Sequence, residues 1–368
     1  MATSATSGSS GMSGSGGSRI VVTGATGNVG SALVRLLAAD PRVDQIVGLA
    51  RREPDAGEPP PKTTYVAVDV AEDPLEAHLA GADAVVHLAW LFQPTHDPMT
   101  TWRANAVGSA RVFDAAVAAG VPAIVHSSSV GAYSPGEGRT VDESWPTHST
   151  PMAAYGREKA YVERVLDAVE ARNPELRAVR LRPGFIFQRT AGTSQRRLFA
   201  GPLLPRPLLR RGRVPVIPVP EGLRFQALHS DDAAQAFLLA ALHDDARGAY
   251  NVASGPVIDA AVLGDVLGAR TVTVPRLVVR GAVATGWHLR ALPADPSLLD
   301  LFLSLPLLDD TRIRTELGWT PTRSGPDALR EALDGMAEGV GGGTEPLAAD
   351  SVAGRAHEVV TGVGGTAS

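Results

Sequence analysis

Between residues 19 and 181, short apolar runs rich in β-branched residues alternate with longer segments whose apolar positions recur three and four apart. The runs Arg19–Thr23, Gln45–Ala50, Thr64–Val68, Ala84–Leu88, Ala123–Ser127 and Ala178–Leu181 predict strands. The segments Asn28–Ala39, Pro74–Ala80, Met99–Ala119 and Met152–Arg172 predict helices. Strands that are apolar almost throughout are buried on both faces, as in a parallel sheet covered by helices. The pattern is that of a doubly wound α/β fold, whose ligands sit beyond the carboxyl ends of the strands. After Pro183 the alternation stops. Gly192 to Val219 is rich in Arg, Pro and Leu, Asp231–His243 predicts a helix, Tyr250–Val252 a strand, and the rest to about Met336 reads as helices and loops.

The ends differ from the middle. Met1 to Ser18 is Gly, Ser, Thr and Ala with neither a basic start nor an apolar core, which reads as a disordered leader and not a secretory signal. The stretch after Ala337 is again rich in Gly, Thr, Ala and Val and reads as a flexible tail, 338–368. The most apolar long segment, Leu277 to Leu292, contains Arg280, His288 and Arg290 and is too charged to span a membrane. These features predict a cytoplasmic protein. Net charge is −5 without a long basic run, so nucleic acid is not an expected partner. With no cysteine and no metal-type histidine spacing, no metal site is expected.

The chemistry begins at the end of the first predicted strand. Thr23-Gly24-Ala25-Thr26-Gly27-Asn28-Val29-Gly30 joins that strand to a helix. Glycines at 24, 27 and 30 allow a tight turn, a close approach of backbone to a pyrophosphate, and close packing of helix on strand. The helix N-terminus adds amide donors and a dipole suited to an anion. Strand, glycine triplet and helix together predict a Rossmann dinucleotide site. At the end of the second strand, where an acidic residue would grip the ribose of NAD, the sequence reads Ala50-Arg51-Arg52. Arginines there suit a 2′-phosphate, so NADP is favoured over NAD.

Of 34 basic residues, only Lys62 and Lys159 are lysines. Lys159 lies four residues after Tyr155, a spacing that puts both side chains on one helix face. A neighbouring ammonium favours the phenolate and would lower the tyrosine's pKa into a usable range. Arginine cannot replace a compact point charge there.

These motifs, in this order, resemble the short-chain dehydrogenase/reductase superfamily, in its extended, epimerase/dehydratase-like branch, over about residues 19–335. The resemblance implies a Rossmann domain over 19–183 and a smaller substrate lobe over 184–337, some of whose segments return to the core. It implies adenine contacts at Asp69 and Val70, and backbone lining the cofactor at Leu88 and Ala89 within Val86-His87-Leu88-Ala89-Trp90. Asn105 would support the active site. The serine-rich strand end Ser127-Ser128-Ser129 would line the cofactor at Ser127 and supply the catalytic serine, Ser129. Pro183, Gly184, Phe185 and Ile186 would pack on the nicotinamide. Tyr155 would exchange a proton with the substrate oxygen, Lys159 would tune Tyr155 and hold the nicotinamide ribose, and Ser129 would stabilise developing charge. His87 reads equally well as a core histidine, and His229 as structural. A homodimer through the helices at 99–119 and 152–172 is a further implication.

Departures from the branch narrow the reaction. The Asp-Glu pair with which 4,6-dehydratases eliminate water is here Val130-Gly131, and epimerases acting at two carbons need a cysteine. Three readings remain for a small-molecule substrate: an NAD(P)-dependent reductase or dehydrogenase of a carbonyl or secondary alcohol, a C4-type nucleotide-sugar epimerase with retained NAD, and a non-catalytic dinucleotide-binding sensor. Arg189, Arg196, Arg197, Arg206, Arg210, Arg211, Arg213 and Arg224 could bind a diphosphate or could simply face solvent.

Overall fold

The computed structural model describes residues 16–54, 58–92, 96–199, 205–289, 291–292 and 295–348. The expected leader as far as residue 15 and the expected tail from 349 lie outside the described residues.

Seven strands form the central sheet: β1 (Ser18–Thr23), β2 (Val43–Ala50), β3 (Thr63–Ala67), β4 (Ala84–His87), β5 (Ala123–Ser127), β6 (Arg177–Pro183) and β7 (Gly248–Val252). Their spatial order is β7-β6-β5-β4-β1-β2-β3, and every neighbouring pair is parallel. The order reverses between β1 and β4, which opens a crevice beyond their carboxyl ends. Both faces are covered. Helices Asn28–Ala39 and Ser230–Leu242 pack one side around Ile20, Val22, Leu33 and Phe237, while Gly108–Ala118 and Ala154–Arg172 pack the other around Val21, Val85, Phe113 and Leu166. Alternate residues of β1 therefore serve opposite cores, which is why the strand reads as a continuous apolar run.

The segment Met99–Ala119, read as one helix, is broken. An α-helical turn at Pro98–Trp102 passes through a wide π turn at Arg103–Val107 before the helix resumes at Gly108. The smaller lobe carries more strand than its sequence suggests. Phe185–Phe187, Phe225–His229 and Ser254–Ile258 form a three-stranded sheet covered by helix Gly325–Glu338, and Val216–Pro220 pairs with Arg270–Val274. Of the stretch expected to be a flexible tail, residues 339–348 lie against the body. Thr193 donates to the Val340 carbonyl, Leu347 is buried, and the Thr344 hydroxyl donates to the Thr26 carbonyl at 2.7 Å. No helix among the described residues is long and apolar enough to cross a membrane.

Candidate active site

Gly24 turns the chain out of β1 with a φ of +70°, a left-handed conformation that favours glycine. A methyl group at Gly30 would lie 2.1 Å from the Gly24 carbonyl oxygen, and one at Gly24 would lie 2.7 Å from the Ala89 amide nitrogen. The loop is thus pressed against both its own helix and the end of β4, at the crevice where the strand order reverses. Gly27 caps helix Asn28–Ala39 without a side-chain hydrogen bond, which leaves the first amides of the helix uncapped by a side chain. Thr26 is buried in this loop, and Val29 packs against the core below it. The Asn28 side chain donates weakly to the Ile186 carbonyl and accepts from Gln188 and Ser230, both at 2.7 Å. It ties the loop to the strand that follows β6. Gln188 and Ser230 are absent from the sequence-derived site because their role exists only through this long-range contact.

Around this crevice, Arg51 and Arg52 are exposed just after β2, Val70 is buried, and the Asp69 carboxylate accepts from the Ala71 amide at 2.8 Å. His87 is wholly buried, bridging Thr23 and Ser109 at 2.7 and 2.8 Å, and burial together with the charge of Lys159 pushes it down to about 3. It is a neutral core histidine at physiological pH. His229 has a structural place as well, its ring nitrogen accepting from the Asp231 amide at the start of helix Ser230–Leu242.

The expected catalytic residues converge at the carboxyl end of β5. Ser129 follows the strand and accepts from the Gly131 amide at 3.0 Å. Tyr155 and Lys159 share one face of helix Ala154–Arg172, and Tyr155 shares a hydrogen bond with Ser129. The tyrosine ring meets Phe92 and Trp90 edge-on, with centroids 4.6 and 6.1 Å apart. Lys159 is buried; its ammonium donates to the Ser127 carbonyl at 2.6 Å and lies 3.4 Å from the centre of the Trp90 ring.

The electrostatics differ from the sequence expectation. Burial pushes the Tyr155 phenol up to about 12, opposed by its hydrogen bond with Ser129, and Lys159 is not what counters it. Burial also pushes the Lys159 ammonium well below its usual value, opposed by Glu163 and Glu158. The dominant cause is burial, while the ammonium donates to the Ser127 carbonyl and lies against the Trp90 face.

Asn105 sits in the π turn. Its amide exchanges hydrogen bonds with the backbone of Leu91, 2.7 and 3.0 Å, and donates to Glu158 at 2.7 Å. Glu158 also accepts from the Thr101 hydroxyl at 2.7 Å. The wide turn thus aims Asn105 across to the strand that leaves β4. Glu158, beside Lys159 in sequence, escaped notice because an acidic residue on a helix usually faces solvent; this one is 2% exposed.

The sequence pattern of the NAD dependent epimerase/dehydratase family matches residues 20–253. The chain belongs to that family. A 3-diazoavenalumate denitrifying reductase from a Streptomyces species is 31% identical over 328 residues, 83% of this chain and 96% of that one. The dTDP-6-deoxy-L-talose 4-dehydrogenase (NAD(P)(+)) of Kitasatospora kifunensis is 31% identical over 325 residues, covering 85% and 94%. The chain spans about half, or less, of the length of three other curated relatives, which are 30–37% identical to it. Among solved structures, a short-chain dehydrogenase/reductase superfamily protein from Agrobacterium tumefaciens with bound NAD has a TM-score of 0.65 and 24% identity, covering 87% of this chain and 97% of that one, and so shares the fold.

Against that family background, the site's own residues fit a dinucleotide. The glycine cradle leaves no room for side chains, and the Trp90 indole nitrogen beside Lys159 is a buried donor without a hydrogen-bond partner. Such a donor is costly unless a ligand oxygen accepts from it. Pro183 ends β6, Gly184 donates its amide to the Val252 carbonyl, and Phe185 and Ile186 begin the next strand, half-buried, so this stretch lies between the sheet and the smaller lobe.

A cavity of about 310 Å³ opens beside Tyr155, lined by Leu91, Phe92, Met152, Glu158, Trp287 and Leu298 among others. The arginines considered for a diphosphate do not converge there. Arg189 pairs with Glu338, Arg196 is fully buried, and Arg210, Arg211, Arg213 and Arg224 are exposed elsewhere; the Arg197 side chain lies outside the described residues.

Proposed function

We propose that the chain is an NAD(P)-dependent oxidoreductase that interconverts a carbonyl and the corresponding secondary alcohol, with Tyr155 as general acid and base. The observation that carries this reading is the convergence of Ser129, Tyr155 and Lys159 on the edge of the sheet that bears the glycine-rich loop. The similar reductase and dehydrogenase, matched over most of their length, support it.

A nicotinamide cofactor held at the glycine-rich loop and Lys159 would supply or accept a hydride. In the reductive direction the carbonyl carbon gains that hydride, the C=O double bond becomes single, and the oxygen takes the phenolic proton of Tyr155. A high phenol pKa holds the proton until charge develops on the substrate oxygen. Ser129 would donate to the same oxygen. Lys159 and the Trp90 indole nitrogen would hold ribose hydroxyls. Val130 and Gly131 carry no proton-transfer group, so the sequence of steps ends at the alcohol.

Arg51 and Arg52, exposed after β2, favour NADP. Titration of the Arg51→Ala/Arg52→Ala double variant with both reduced cofactors tests this. NADPH affinity is expected to fall about tenfold or more, with NADH affinity unchanged. The broader reading is tested by following NADPH consumption against a panel of ketones: net, stoichiometric oxidation supports it, whereas tightly retained NAD with no net redox change points to an epimerase.

A further inference from the structure

The cavity beside Tyr155 has the wrong chemistry for a nucleotide sugar. Its walls are mostly aliphatic and aromatic, and Trp287 stacks on His96 with centroids 3.8 Å apart, tying the smaller lobe to the segment after β4. Among the described residues, three charged side chains reach it, Arg157, Glu158 and Asp295. Each already has a partner: Arg157 donates to the Pro151 carbonyl at 2.8 Å, Glu158 holds Thr101 and Asn105, and Asp295 accepts from the Ser297 amide at 2.6 Å. Burial raises the Glu158 pKa, so this acid is held against ionisation, and the described lining offers a single arginine. A nucleoside diphosphate needs convergent cations or free amides and would meet one arginine and two acidic side chains instead.

The other flank of Ser129 offers little room. Beside Val130 and Gly184, Phe185, Phe225 and Phe302 pack together with centroids 5.1 to 5.4 Å apart. Gln226 there is bonded to both the amide and the carbonyl of Leu308. This side is core.

Resting on the function proposed above, we infer that the substrate is an uncharged, flat, largely apolar ketone, or the matching secondary alcohol, without a nucleotide handle. It lies between Phe92 and Trp287 with its oxygen toward Tyr155. The ketone carbon takes hydride from NADPH and its oxygen takes the Tyr155 proton, giving alcohol and NADP⁺. A volume of about 310 Å³, at the small end of ligand pockets, matches one or two fused rings.

The test compares two ketones with the full chain and NADPH: 1-tetralone, and dTDP-4-keto-6-deoxyglucose as a carbonyl carrying a nucleoside diphosphate. The expected result is a kcat/KM for 1-tetralone at least about a hundredfold higher, since Arg157 is the single arginine among the described lining residues and two acids stand beside it. Trp287→Ala should raise KM for 1-tetralone about tenfold with kcat largely kept, and Phe92→Ala, which also removes the ring packed on Tyr155, should raise KM about tenfold and lower kcat. An NADPH Kd within about twofold of wild type shows that each variant is folded. Preference for the nucleotide sugar, dependent on Tyr155, overturns the inference and leaves hydride transfer standing. An unchanged KM in both folded variants also overturns it. No Tyr155-dependent turnover of either ketone overturns the proposed function and this inference with it.

Discussion

Lys159 donates to the carbonyl of Ser127 at 2.6 Å, pinning helix Ala154–Arg172 to the carboxyl end of β5. On its other side the ammonium rests on Trp90. A guanidinium is broader and planar and cannot fill a slot between a carbonyl and an indole face. Lys159→Met and Lys159→Arg are therefore expected to behave alike. Each should lose about a hundredfold in kcat/KM and bind NADPH more weakly, as measured by initial rates and by titration. Recovery of activity by arginine would contradict this geometry.

Gly131 faces the tyrosine. A methyl group there would lie 2.8 Å from a ring carbon of Tyr155 and 3.4 Å from the Ser129 hydroxyl oxygen. Gly131→Ala should displace the phenol and lower kcat by about a hundredfold, because small misplacements of a proton donor are costly. The denaturation midpoint should move little, and NADPH affinity should hold.

Glu163, wholly buried, receives two hydrogen bonds from Arg182, 2.7 and 2.8 Å, and one from the Ser128 hydroxyl at 2.5 Å. Burial opposes its ionisation, but the Arg182 hydrogen bonds and charge and the Ser128 bond overcome it, leaving the pKa below the usual carboxylate value. A carboxylate depressed in the fold contributes stability above its unfolded pKa and loses it as pH falls through the folded one. Glu163→Gln should cost about 3–5 kcal/mol near neutrality, by leaving Arg182 buried without a counter-charge. Its denaturation midpoint should also fall less than that of wild type between neutrality and the acid range. A wild-type slope in the variant would contradict the assignment.

The sequence marked some features sharply and hid others. Helix Asn28–Ala39 and strand Ala123–Ser127 have the bounds their patterns predict, because one carries a clear helical stripe and the other a short apolar run between polar residues. The π turn at Arg103–Val107 was hidden, since one extra residue in a turn barely disturbs helical spacing. Strand Arg270–Val274 was hidden because it is short and mostly exposed on both faces. At the site, local spacing singled out the glycines and the Tyr155–Lys159 pair, whereas Ser129 came only through the family resemblance. The roles of Glu158, Trp90 and Gln188 were not, because each depends on a partner distant in sequence. The raised pKa of the tyrosine was hidden because it comes from burial, which the i,i+4 spacing does not show.

The central claim is that Tyr155 transfers the proton while the rest of the site binds and orients. Tyr155→Phe keeps the ring against Phe92 and removes only the hydroxyl. Rapid mixing with NADPH and a ketone that wild type reduces is the most direct test. The account predicts NADPH affinity within about twofold of wild type and hydride transfer slowed by about a thousandfold. Hydride transfer at the wild-type rate in Tyr155→Phe would contradict it.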